Sequence, residues 1–178
     1  MTSELRTRIV NGALFGGLVL IFTVWSYWAF ALMCAVGGSI LAYEWWRLTK
    51  HRSLFVQLLG TPYIAAACMA LVYLRICDLS ILLSLFAIVW TGDITAYFVG
   101  KRYGRHKIAP SISPGKSWEG LGASIVASMI IAASLGHVAP LPHALLGAVF
   151  AVVGLGGDLF ESALKRHAGV KDSGTLIP

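Results

Sequence analysis

The sequence predicts an all-α polytopic integral membrane protein of about six transmembrane helices, and three observations predict it. Of the 178 residues, 57% are hydrophobic and only 12% are charged, and the mean hydropathy is +0.77. Water-soluble domains carry about 25% charged residues, so this chain has too little charge to coat a water-facing surface. The charges are also missing in blocks: none from Ile9 to Tyr43, none from Ser53 to Leu74, and none from Gly120 to Gly157. A helix needs ~20 apolar residues to cross a bilayer core. The third observation is the placement of Lys and Arg, which follows once the spans are drawn.

The run from Ile9 to Tyr43 holds 35 residues. As one helix it would reach about 52 Å at 1.5 Å per residue, too long for a core of about 30 Å. It therefore folds as a hairpin, with Trp25, Tyr27 and Trp28 at the turn, where interfacial aromatic residues belong. Helix one is expected at about 9–25 and helix two at about 28–46, with Trp45 and Trp46 at the opposite interface. Helix three covers about 56–74, helix four about 79–100 and helix five about 119–137. Pro140, Leu141 and Pro142 break the pattern and start a short connection to helix six at about 143–160. With the N-terminus inside, this count puts all but one of the 14 Lys and Arg residues on the cytoplasmic side, the exception being Arg75. A wrong count would scramble that alternation. The expectation is one membrane domain over residues 1–178, with an N-terminal hairpin at about 9–46 and a motif-bearing region at about 79–178. Both termini are expected in the cytoplasm, with the chain in a bacterial inner membrane.

These features set aside several function classes. The net charge of +6 reads as the cytoplasmic bias of membrane-protein Lys and Arg, so no nucleic-acid partner is expected. Cys34, Cys68 and Cys77 are odd in number and form no C-x-x-C pair, so neither a disulfide framework nor a zinc site is implied. The N-terminus is a poor signal peptide, because its apolar region runs on into a second span. None of the five histidines shows metal-ligand spacing. The Gly37–Gly38 pair and the other helix glycines are read as close packing points.

Two polar regions remain. The first runs from Asp93 to Gly120. Asp93 lies inside helix four, eight residues before Lys101, about 12 Å along the axis. A carboxylate at that depth is expensive and is by default a functional candidate; pairing with a basic residue to secure packing is the competing reading. The Ser113–Pro114–Gly115–Lys116 stretch resembles an anion cradle: Gly admits close backbone approach, Ser donates a hydrogen bond and Lys supplies a charge. It is not a Walker A loop, since Pro110 stands where the first Gly would be. An ordinary basic loop touching lipid phosphates is as compatible with the composition. Glu119 opens helix five, where a carboxylate suits the helix dipole, so a capping role is expected.

The second region begins at Gly154. Asp158 follows the longest charge-free block, and Glu161 is on the same helix face three residues later. Two such acids in apolar surroundings suit a hard divalent cation, so Asp158 and Glu161 are read as candidate ligands. Lys165 is one turn beyond Glu161, and an i,i+4 ion pair competes for Glu161. Lys165, Arg166, Lys171 and Asp172 cluster at the end of the span, where basic residues also anchor helices to anionic headgroups.

The tail from Ser162 to Pro178, with Ser162-x-Leu164-Lys165-Arg166, Lys171-Asp172-x-Gly174 and Ile177-Pro178, resembles the signature of phosphatidate cytidylyltransferases, also called CDP-diacylglycerol synthases. Asp93-x-x-Ala96-Tyr97-x-x-Gly100, Ser113-Pro114-Gly115-Lys116-x-x-Glu119-Gly120 and Gly157-Asp158-Leu159-x-Glu161-Ser162 are similar to the same family in the same order. Together they span residues 93–178. The family pattern continues past Pro178 with a His-Gly-Gly segment and an Asp-Arg-x-Asp segment, so the expectation is a fragment or truncated form with little activity alone.

The resemblance implies transfer of a cytidylyl group from CTP to phosphatidate, giving CDP-diacylglycerol and pyrophosphate. It implies Mg²⁺ or another divalent cation on Asp93 and Asp158, CTP phosphates on Lys116 and the Ser113–Gly115 segment, and lipid phosphate or pyrophosphate on Lys165, Arg166 and Lys171. Asp172 would ligate the cation or orient a lysine. CTP and phosphatidate are the expected partners, with membrane lipid around the chain, and the family implies a homodimer. The nearest alternative is a CTP-dependent polyprenol or phytol kinase, which needs the same charged groups. An alternative of another class is a small ion transporter using Asp93, Asp158 and Glu161. The polar loops gather on one side, whereas a transporter needs a polar path to both faces.

Overall fold

The structure is a computed structural model. It describes residues 3–50, 54–136 and 139–170, the side chains of residues 3–9 excepted. Among the described residues there are six α-helices: α1 (Ser3–Trp25), α2 (Tyr27–Leu48), α3 (Leu54–Cys77), α4 (Leu79–Tyr103), α5 (Trp118–Leu135) and α6 (Pro140–His167). Five of them, α2 to α6, are long and apolar enough to cross a membrane, and α1 carries a shorter apolar stretch, Val10–Trp25. Their outer faces are apolar. Leu14 is 68% exposed and Trp28 78% exposed. Water would not tolerate such surfaces over every helix, whereas lipid requires them. The chain is an integral membrane protein.

The helices follow the expected spans, with two corrections. Pro140 does not sit in a connection; it is at the first turn of α6, where a missing N–H costs no hydrogen bond. At its other end α6 runs to His167, seven residues beyond the expected boundary. It stops where Gly169 takes φ +72°. The Val170 N–H then donates to the Lys165 carbonyl and the Gly169 N–H to the Arg166 carbonyl, the paired bonds of a Schellman cap.

The contacts divide the chain into two compact units, one reaching Leu82 and one starting at Leu83. In the first, α1 and α2 turn on Ser26 alone, in extended conformation. Arg75 on α3 donates from Nε to the Thr23 carbonyl at 2.7 Å, satisfying one of the carbonyls that the last turn of α1 leaves free. The α2–α3 pair closes on aromatic rings. Trp46 Nε1 donates to Thr61 Oγ1 at 2.9 Å, and Trp45 Nε1 donates to the Gln57 carbonyl at 3.2 Å. A Cβ at Gly60 would lie 1.9 Å from the Trp45 ring, so the ring needs glycine there. Of the Gly37–Gly38 pair only Gly38 is a packing point, since a Cβ on it would meet Cys68 Sγ at 2.8 Å, whereas Gly37 has open space. All three cysteines are free thiols.

In the second unit small residues set the helix spacing. Gly120, Ser124, Ser128 and Ala132 are the buried residues of α5, four apart, so they form one stripe. A Cβ at Gly92 of α4 would lie 2.6 Å from Ser128 Oγ, and one at Gly147 of α6 would lie 2.4 Å from the Ser128 carbonyl oxygen. Ser128 Oγ donates to the Ile88 carbonyl at 3.3 Å.

The segment between α4 and α5 departs from an all-helical reading. It forms an antiparallel hairpin of β1 (Lys107–Ala109) and β2 (Ser113–Ser117), with Lys107 opposite Ser117 and Ala109 opposite Ser113. This short backbone ladder carries the Ser113–Lys116 stretch on β2.

Candidate functional site

The end of α4, the hairpin, the start of α5 and the middle of α6 line a cavity of about 650 Å³, a size typical of small-molecule sites. Each wall has a local cause. On α4, Asp93, Tyr97 and Gly100 recur at intervals of four and three, which is one helix face, and with Gly104, just past the end of the helix, they line the cavity. The glycines let α5 approach. A Cβ at Gly104 would lie 2.6 Å from Ser117 Oγ. Ser117 is buried and caps α5, its hydroxyl accepting from the Gly120 N–H at 3.2 Å. The positive end of the α5 dipole thus lies at the cavity wall.

Charge is concentrated here. Lys101, Lys107 and Lys116 line the cavity with Asp93 and Asp158. Lys116 Nζ on β2 and Asp158 Oδ2 on α6 form an ion pair. Asp93 and Asp158 share the cavity, but among the described residues no three His, Cys, Asp or Glu side chains cluster so as to hold a metal by themselves. Lys101 Nζ lies 3.4 Å from Tyr97 Oη and 5.5 Å from the centre of its ring.

The remaining expected residues lie elsewhere. Gly115 is on the cavity wall with Lys116, whereas Ser113, half-buried at the start of β2, is not among the lining residues. Glu161 is also off the wall and pairs with Lys165 at 2.5 Å, one turn along α6. Arg166 donates from Nε to the Ile112 carbonyl at 3.3 Å, tying the last turn of α6 to the hairpin turn. Lys171 and Asp172 lie outside the described residues. Ser117 is the N-cap of α5, and Glu119 stands in the first turn, where its carboxylate suits the helix dipole as expected. That carboxylate also accepts the His106 backbone N–H at 3.1 and 3.3 Å and lies 2.7 Å from His106 Nδ1.

Lys101 and Lys107 are cavity residues to which the reading of the sequence gave no role, and Tyr97 entered it only within the Asp93–Gly100 motif. The helical period from Asp93 is the signal that reaches Tyr97 and Lys101, at i+4 and i+8. No such period reaches Lys107, because it enters the cavity through the hairpin register.

Residues 75–178 match the model of the cytidylyltransferase family. Among curated relatives, the phosphatidate cytidylyltransferase of Haemophilus influenzae is 31% identical over 173 residues, covering 90% of this chain and 60% of the relative. That of Mycobacterium tuberculosis is 32% identical over 190 residues, covering 93% and 58%. That of Bacillus subtilis is 47% identical over 96 residues, covering 51% and 36%. The chain thus spans about three fifths of the length of the first of these relatives. The family match extends over every element of the cavity, and the chain belongs to the cytidylyltransferase family.

Proposed function

We propose that this chain carries the nucleotide site of an enzyme that transfers the cytidylyl group of CTP to phosphatidate, forming CDP-diacylglycerol and pyrophosphate. The observation that carries the reading is the grouping of three lysines and two aspartates around one cavity at the ends of apolar helices. There a water-soluble nucleotide meets a membrane-held acceptor. A phosphate oxygen of phosphatidate attacks the α-phosphorus of CTP, and the bond from that phosphorus to the oxygen bridging to the β-phosphate breaks. No covalent enzyme intermediate is needed, since positioning and charge stabilisation carry such transfers.

Two polyanions must be brought together, so positive charge must offset their repulsion. Lys116 supplies it from β2, leaving Asp158 to reach a nucleotide phosphate. The α5 N-terminus adds to the positive potential. Asp93 and Asp158 suit Mg²⁺, which is held by one or two carboxylates with substrate phosphates and water completing the shell; the two-acid cavity fits that demand. Bound there, the ion would neutralise phosphate charge and that of the leaving pyrophosphate. Arg166, tied to Ile112, secures the hairpin that presents Lys116. Lys165 and Lys171 are proposed for the lipid phosphate or pyrophosphate, and Asp172 to ligate the cation or orient a lysine, on the family resemblance. The asymmetric distribution of Lys and Arg supports cytoplasmic termini and a cytoplasmic cavity in a bacterial inner membrane. A homodimer rests on the resemblance.

The test uses [α-³²P]CTP, Mg²⁺ and phosphatidate-containing nanodiscs, with the chain and with a fusion restoring the relatives' full length. Label in CDP-diacylglycerol supports the reading. Label passing only from [γ-³²P]CTP to a polyprenol would replace it with the kinase.

A further inference from the structure

Two of the three cavity lysines are occupied by protein groups. Lys116 is tied to Asp158 and Lys101 lies against Tyr97. Lys107 lines the same cavity, is exposed, and makes no ion pair among the described residues. Three lysines facing two aspartates leave the cavity with one net positive charge, and without Lys107 it would be neutral. We infer that Lys107 is a second phosphate anchor of the cavity, binding the triphosphate of the nucleotide opposite Lys116. The inference rests on the nucleotidyl-transfer reading and deepens it.

The backbone aims Lys107. Its predecessor His106 is held on three sides by the first turn of α5. The His106 N–H donates to the Glu119 carboxylate, its Nδ1 lies 2.7 Å from Glu119 Oε1, and its carbonyl accepts the Trp118 N–H at 3.0 Å. Lys107 then pairs with Ser117, the residue after Lys116. The two lysines therefore leave neighbouring strands at the same end of the hairpin, and both face the cavity. An exposed ammonium costs little to keep there while the cavity is open, and attracts a polyanion as soon as one enters. Phosphate could come from the nucleotide or from a lipid headgroup. The shared cavity with Lys116 favours the nucleotide.

Binding of Mg²⁺–CTP, inorganic tripolyphosphate and cytidine is measured on the whole chain in phosphatidylcholine nanodiscs, which present no bulk anionic lipid. Lys107→Ala should weaken CTP and tripolyphosphate by about tenfold, as loss of one charge-assisted contact would. Cytidine and the thermal midpoint should not change. Lys107→Arg, which keeps the charge, should bind within about threefold of the unaltered chain. Unchanged CTP and tripolyphosphate binding in Lys107→Ala would overturn the inference. So would an equal loss of cytidine, which marks a distorted pocket, or an effect seen only on phosphatidate association, which marks a headgroup contact. An unaltered chain that binds no CTP would instead bring down the nucleotidyl-transfer reading itself, and this inference with it.

Discussion

Lys116 and Asp158 stand 42 residues apart in the chain and form an ion pair in the structure, joining the hairpin to α6 across the cavity. The pair has an energetic consequence. A lysine held against a carboxylate competes with any cation that would use the same oxygens. It also keeps the carboxylate from repelling an incoming phosphate. Lys116→Met should therefore bind Mn²⁺ more tightly than the unaltered chain in the absence of nucleotide, read by electron paramagnetic resonance. Asp158→Asn should bind it more weakly. Equal Mn²⁺ affinity in all three proteins would show that Asp158 is no cation ligand.

In the CTP incorporation assay on the full-length fusion, either Lys116→Ala or Asp158→Asn should lower the rate by ~10²–10³, the typical loss of one preorganised charged group. The double variant should cost little more than the worse single one, because groups that act as a unit are not additive. Additive losses would mean that the two residues act separately.

The packing of α5 against its neighbours makes a graded prediction. At Gly147 an added methyl would meet backbone, the Ser128 carbonyl oxygen at 2.4 Å and its carbon at 2.7 Å. At Gly92 it would meet the hydroxyl ends of Ser128 and Ser124 at 2.6 and 2.9 Å, which can rotate away. Overpacking costs ~1–3 kcal/mol. Gly147→Ala should fall near the top of that range and Gly92→Ala near the bottom, measured as the shift of thermal midpoint in detergent. The reverse order would contradict the packing described.

Topology is tested at the hairpin turn. In a background with Cys34, Cys68 and Cys77 replaced, a cysteine at Ser111 should be protected from a membrane-impermeant maleimide in intact cells and labelled in inverted vesicles. Labelling only from outside would reverse the orientation drawn from the Lys and Arg distribution.

Asp78 joins α3 to α4 and gives a pH prediction. Its carboxylate accepts from the Ser80 hydroxyl and, at 2.7 Å, from the Ser80 N–H, which holds it below the usual carboxylate range. A depressed folded-state pKa stabilises above the unfolded value near 3.9, and that stabilisation is lost as pH falls through the lower folded value. Protection of the first-turn amides of α4 against hydrogen exchange should drop over that acid interval. Asp78→Asn should flatten the dependence, and an unchanged pH profile in that variant would remove Asp78 as its source.

How much was legible follows the physics of each feature. Span positions came through because crossing a bilayer is a requirement on length and polarity along the chain; α2 was expected at about 28–46 and is Tyr27–Leu48. The end of α6 was less legible. Basic residues after the apolar run mark where the membrane ends, not where the helix does, and the helix continues to its Gly169 cap. Asp93 and Asp158 stood out because an acid is costly among apolar residues. The Glu161–Lys165 pair was legible from its i,i+4 spacing, whereas the contact of Glu119 with His106 was not, because His106 lies beside it in space and not along a helix.

The sequence by itself determined a chain of apolar helices with its polar groups collected at a few positions, since those are properties of single segments. Tertiary structure alone decided which charges far apart in the chain meet. Lys116 faces Asp158 only because the hairpin turns β2 toward α6. Lys107 reaches the cavity only because Glu119 fastens the residue before it. Such pairings rest on the close approach of helices that Gly92, Gly104 and Gly147 permit. Packing of that kind is set by contacts between segments far apart in the chain, which no local period records.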